Sequence, residues 1–117
     1  LLGGVNIMGL DQWMKKRKGD VEEEIAYWHK HPNLQGWMKE LWSKDHIGEF
    51  NLTKVFLSKE DLDELERVVK SGTLSPTSGF LFGDDFCAHY YAHDLEAIEK
   101  ARQAIDEGFD VYYESWW

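Results

Sequence analysis

The sequence predicts an α+β domain: about three helices packed on one face of a small, mainly antiparallel sheet of about five strands. Three observations carry that prediction. Some segments place apolar residues at helical spacing between recognisable start and stop residues. Others are short, alternating or apolar, and bounded by glycine, as strands are. The two kinds occur in mixed order rather than strict alternation, which favours α+β over a doubly wound sheet. The chain's 117 residues fit a single domain with one core.

Each element has its own signal. Residues 9–16 and 22–28 read as a hairpin around Gly19-Asp20. In the second strand Glu24, Ala26 and Trp28 share one face, and Glu23, Ile25 and Tyr27 the other. Pro32-Asn33 starts a helix, with Asn33 as N-cap or Pro32 in the first turn. Its stripe is Leu34, Trp37, Met38, Leu41 and Trp42, and it ends over Asp45 to Gly48. Residues 51–57 read as a strand. Ser58 caps a second helix with Asp61 three positions on, Leu62, Leu65, Val68 and Val69 form its buried stripe, and Gly72 ends it. Residues 73–79 form a polar loop around Pro76, and Gly79 to Gly83 a short buried strand. Asp94 opens a third helix with Leu95, Ile98, Ala101 (or Arg102) and Ile105 inward, closed by Gly108. Residues 109–115 read as the last strand.

Composition narrows the function classes. Apolar residues make up 43% and charged residues 30%, a globular rather than disordered balance. No apolar run approaches the roughly 18 residues of a membrane span. Residues 1–58 hold eight basic and eight acidic residues, and residues 59–117 five basic and fourteen acidic, so the whole net charge of −9 lies in the second half. A field of that sign repels phosphates and anionic membranes, so neither a nucleic acid nor a membrane is an expected partner. The basic run Lys15 to Lys18 is followed by Asp20 and Glu22 to Glu24, and the two runs read as facing strand ends. Cys87 is the only cysteine, which excludes an internal disulfide and fits a reducing cytoplasm.

Several constellations invite chemistry without establishing it. Asp85, His89 and His93 are four residues apart, the spacing of ligands on a helix face, although 86–91 also fits a strand. They are weak metal candidates, since His-x-x-x-His arises easily by chance; no metal or other cofactor is expected. His29 and His31 flank Lys30 at the exit of a strand. Cys87 beside His89 and Asp94 sits among carboxylates, which raise a thiol pKa rather than lower it. Gly79-x-x-x-Gly83 lacks the lysine and hydroxyl of a phosphate loop. The acids Glu60, Asp63, Glu64, Glu96, Glu99, Asp106 and Glu107 fall on outer helix faces, where they serve solubility or imitate a nucleic acid backbone.

Aromatic residues make up 15% of the chain, six of them tryptophan. The ending Tyr112-Tyr113-Glu114-Ser115-Trp116-Trp117 is unusual, because chain ends are commonly polar and frayed. These tryptophans tuck into the domain, dock on a second subunit, or line a cleft. The set Trp28, Trp37, Phe80, Phe82, Tyr113, Trp116 and Trp117 is therefore a candidate binding surface, divided between core and cleft. Asp11, His31, Asp85, His89 and His93 are the polar candidates.

The chain resembles a family of small uncharacterised proteins encoded by bacteriophages, prophages and other mobile elements. The matching stretches are Met8-Gly9-Leu10-Asp11, Tyr27-Trp28-His29-Lys30 leading to Trp37, Leu74-x-Pro76-Thr77-x-Gly79-Phe80-Leu81-Phe82-Gly83, Tyr90-Tyr91 before Asp94, and the aromatic C-terminus. The resemblance spans most of residues 8–117 and brings no catalytic residues with it. Residues 1–7 read as an upstream leader read through in an environmental gene cassette. Gly3-Gly4 stands just before Met8, where its codons can spell a ribosome-binding site. The function expected is a non-enzymatic interaction module with an aromatic surface rimmed by acids. Its partner would be a host protein or a second copy in a homodimer. The rival is a small-molecule-binding or metal-dependent enzyme with a site near Phe80 to Phe82. A third reading is acidic mimicry of nucleic acid.

Overall fold

The computed structural model describes residues 10–48, 50, 53–72, 74 and 83–116, and for 83–89 the backbone alone. The described elements run β1 (Asp11–Lys18), β2 (Val21–His29), α1 (Pro32–Ser43), β3 (Val55–Leu57), α2 (Lys59–Ser71), α3 (Gly83–Asp106) and β4 (Asp110–Trp116). The strands form one four-stranded sheet in the order β2-β1-β4-β3, with every neighbouring pair antiparallel. The domain is thus α+β, with three helices and four strands among the described residues, one strand fewer than expected.

The hairpin pairs Lys15 with Glu24, Lys16 with Glu23 and Arg17 with Glu22, so the basic and acidic runs do face one another. The register shifts between Met14 and Lys15, and Ile25 is the extra residue of a β-bulge. The bulge corrects the expected facing of β2. Ala26 and Trp28 are buried, but Glu24 crosses to the other face opposite Lys15. Strict alternation cannot see such a slip.

One face of the sheet meets the helices. Met14, Ala26, Trp28, Val55, Leu57, Val111 and Tyr113 share it by register and join one core with the helices. Helix α2 forms as its sequence directs. Ser58 accepts from the Asp61 N–H, Asp61 accepts from the Ser58 N–H, and Gly72 closes the helix at φ +73°, a left-handed turn that a side chain resists. Leu62, Leu65, Val68 and Val69 are all buried.

Helix α1 begins at Pro32, and its N-cap is His31 rather than Asn33. Proline suits that first position because its missing N–H is one the helix leaves unpaired. Leu34, Met38 and Trp42 are buried, while Trp37 and Leu41 pack half-buried against the core. Strand β3 is shorter than expected, because residues 53 and 54 are not strand and 51 and 52 lie outside the described residues.

Helix α3 overturns two expectations. It starts at Gly83, not Asp94, and residues 86–91, which fit either helix or strand by sequence, are helical. Asp84 and Asp85 stand in its first turn, where the helix dipole favours acids, a start signal that the glycine-framed strand reading passed over. The expected strand at 79–83 is therefore helix at Gly83, and its residues 79–82 lie outside the described residues, as do most of the loop 73–79 and all of the leader 1–7. The buried stripe is also rotated. Asp94, Ala97, Ile98, Ala101 and Ala104 are buried, while Leu95 and Ile105 are only partly covered. Alanines let a helix approach a sheet more closely than a row of leucines would.

Candidate functional site

A buried polar network lies between the sheet, the start of α1 and the middle of α3. Lys30 at the end of β2 takes φ +62°, a left-handed conformation costly for a side-chain-bearing residue, and turns the chain sharply inward. Its N–H donates to the Leu10 carbonyl at 3.0 Å. The next residue, His31, is fully buried. Gln12 clamps the His31 peptide from β1, accepting from the His31 N–H at 2.8 Å and donating to its carbonyl at 3.0 Å. The same amide donates to the Tyr113 hydroxyl at 3.0 Å, and Tyr113 donates onward to Gln35 on α1. Burial pushes the Tyr113 phenol well above its ordinary pKa, so it stays a neutral donor.

Asp94 is the centre of the network. It is 3% exposed, and each of its oxygens accepts one hydrogen bond. Trp28 Nε1 donates to Oδ1 at 2.7 Å, and His31 Nε2 to Oδ2 at 2.9 Å. Tyr90 stacks on the His31 ring with centroids 4.4 Å apart, and its hydroxyl donates to the His29 carbonyl. His93 Nε2 donates to the Tyr27 carbonyl at 2.9 Å, with its ring edge-on to Trp28 at 5.3 Å. Side chains of α3 thus satisfy backbone acceptors along the outer edge of β2, which shields that edge from pairing with another chain. His31 Nδ1 has no hydrogen-bond partner among the described residues.

The opposite face of the sheet carries no helix among the described residues. Tyr27 is 41% exposed, Phe56 47% and Trp116 53%, and Trp13 is half-buried beside Tyr27 with ring centroids 5.8 Å apart. Asp11 lies here too. Its Oδ1 accepts from the Tyr27 hydroxyl at 2.5 Å and stands 3.3 Å from His29 Nδ1. The Tyr27 bond, aided by His29, holds the Asp11 carboxyl below the usual carboxylate range against some desolvation. Asp11 therefore adds stability that is present above the ordinary carboxylate pKa and lost as pH falls through its lowered value. Asp11→Asn is expected to flatten part of the acid limb of a stability-against-pH curve; an unchanged limb would show that the bond does not form in solution.

The structure distributes the predicted site residues over three settings. Trp28, Tyr113 and His31 are buried in the network, and Trp37 packs half-buried on α1. Asp11 and Trp116 belong to the helix-free face, and His93 to the edge of β2. Asp85 and His89 occupy backbone positions on α3, while Phe80, Phe82 and Trp117 lie outside the described residues. Among the described residues no group of three or more His, Cys, Asp or Glu is arranged to hold a metal ion. The residues missed are Asp94, Gln12, Tyr90 and Tyr27. The sequence offers Asp94 as the start of a helix and as a neighbour of Cys87 and His89, and a helix start normally exposes a carboxylate. Gln12 carries only the alternation of a strand, and Tyr27 that alternation and a place in the Tyr27-Trp28-His29-Lys30 stretch of the resemblance, neither of which points to a contact with Asp11.

No family model, curated protein or solved structure matches the chain.

The acidic helix faces are extensively ion-paired. Arg102 bridges Asp63, Glu66 and Glu99, Arg67 pairs with Glu64, Lys70 with Glu66, Lys100 with Glu96 and Lys59 with Asp106. No described helix is long and apolar enough to cross a membrane.

Proposed function

We propose that this protein is a non-catalytic interaction module that binds a protein partner through the helix-free face of its sheet. The supporting observation is the exposure of Tyr27, Phe56 and Trp116 on one face, while Trp28 and Tyr113 are fully buried on the other. Large aromatics that stay wet on one side are favoured at protein interfaces. Asp11, Glu22, Glu24, Asp110 and Glu114 stand among or around them by register, which makes an aromatic surface rimmed by acids. The partner is a host protein or a second copy of the chain. The resemblance to proteins of phages and mobile elements supports a role inside a host cell.

A photo-crosslinking amino acid tests this reading. Placed at position 56 or 116, it is expected to give discrete adducts with the chain itself or with one cellular protein. Placed at position 60 on α2, it is expected to give none. Equal labelling from both positions, or no adduct from the sheet, would overturn the proposal.

The enzymatic alternative draws on the His31–Asp94 pair, which has the composition of an oriented acid–base dyad. Both residues are sealed from solvent, 0% and 3% exposed at their side chains, which favours a structural role. Mimicry of nucleic acid calls for unpaired, regularly spaced acids, and the pairing of Asp63, Glu64, Glu96, Glu99 and Asp106 weighs against it.

A further inference from the structure

At one corner of the helix-free face, aromatic rings gather around a carboxylate. Asp11 faces Trp116 across β4 and His29 across β2, and Trp13 lies two residues along β1 beside Tyr27. Directly opposed residues of an antiparallel pair hold their Cβ atoms roughly 5 Å apart, and diagonal neighbours roughly 7–8 Å. Trp13, Tyr27 and Trp116 therefore stand around Asp11. Tyr27 and His29 both meet Asp11 at Oδ1, and Oδ2 accepts no hydrogen bond among the described residues.

The chain displays on itself what such a surface takes. Lys15 Nζ lies 5.5 Å from the centre of the Trp13 ring and 3.3 Å from Glu114, an ammonium held between an indole and a carboxylate. Trp116 and Asp11 repeat that pairing of indole with carboxylate, and no lysine or arginine of the described residues pairs with Asp11. Aromatic faces attract cations through the ring quadrupole, most strongly indole, and clustered rings are a recurrent means of holding alkylated ammonium groups. The chain's charge of −9 adds a long-range field that draws cations in.

We propose that the Asp11–Trp13–Tyr27–Trp116 corner binds an ammonium group presented by a protein partner, a lysine side chain or its methylated form. The inference rests on the helix-free face being a binding surface and names the chemistry that surface selects.

Tetramethylammonium chloride is the probe, with sodium chloride and neutral 3,3-dimethylbutan-1-ol as controls. The readout is the indole N–H resonances of the six tryptophans in a nitrogen-15 correlation spectrum. Saturable shifts are expected at Trp13 and Trp116 with tetramethylammonium and with neither control. Trp116→Ala is expected to weaken the effect about fivefold and Asp11→Asn about threefold. A response of equal size to the neutral alcohol, or shifts indifferent to both substitutions, would overturn the inference. Silence of both indoles, with adducts still forming at positions 56 and 116, would overturn the ammonium chemistry and leave the binding face standing. Silence together with loss of those adducts would remove both.

Discussion

Asp94→Ala is expected to cost about 3–5 kcal/mol of folding stability, measured by urea unfolding. The substitution leaves two buried donors, Trp28 Nε1 and His31 Nε2, without their acceptor. Each unsatisfied buried polar group costs about 1–3 kcal/mol, and an uncompensated buried group cannot recover that from solvent. It also removes the side chain that joins α3 to both β2 and the start of α1. Asp94→Asn should cost less, because the amide oxygen still accepts one of the two bonds. Trp28→Phe in the Asp94→Ala background should then add little of its hydrogen-bond cost, since the donor already lacks a partner. A loss below about 1 kcal/mol for Asp94→Ala would show that water reaches the network, and would return the His31–Asp94 pair to consideration as a chemical site.

Leu62→Ala is expected to cost about 2–5 kcal/mol, while Trp116→Ala stays within about 0.5 kcal/mol of the parent. Leu62 is fully buried on α2, so truncation opens a cavity in the core. Trp116 is about half exposed, and its ring contributes chiefly surface. The contrast bears on function as well as stability. An aromatic that can be deleted at no cost to folding is not needed for folding, and that result would support the proposed binding face. If Trp116→Ala instead destabilised the fold by more than about 1 kcal/mol, Trp116 would belong to the packed structure, and the interaction reading would lose its most exposed residue.

Much of the fold was legible because its signals are local. In α2 the cap, box, stripe and closing glycine lie within fifteen residues, and each depends only on near neighbours. The hairpin turn, the facing of its charge runs and the buried residues of α1 followed from the same kind of pattern. The start of α3 was legible only in the acidic pair Asp84-Asp85, which a competing pattern masked. Its glycine-framed, phenylalanine-rich approach satisfies strand and helix patterns equally over so short a span. The bulge at Ile25 was invisible for another reason. It is a property of the pairing between two strands and leaves no mark in either one alone.

The candidate site shows the same division more sharply. Histidine, tryptophan and tyrosine drew notice by type, and several of them converge on Asp94. Asp94 stands out in the sequence only beside Cys87 and His89 and as a helix start, and neither points to its burial, because a carboxylate at a helical position is ordinarily a solvated one. Only packing makes it otherwise, by bringing positions 28, 31 and 94 together from β2, the cap of α1 and α3.

The sequence by itself determined that the chain is an acidic α+β domain with a hairpin, a capped central helix and an aromatic last strand, since spacing, capping and composition act over a few residues. The tertiary structure alone decided which aromatics are core and which are surface. Trp28 and Trp116 differ little as residues in strands, yet one is sealed beneath α3 and the other stands in the open. That difference comes from which face of the sheet the helices cover, a choice made by burial summed over the whole domain.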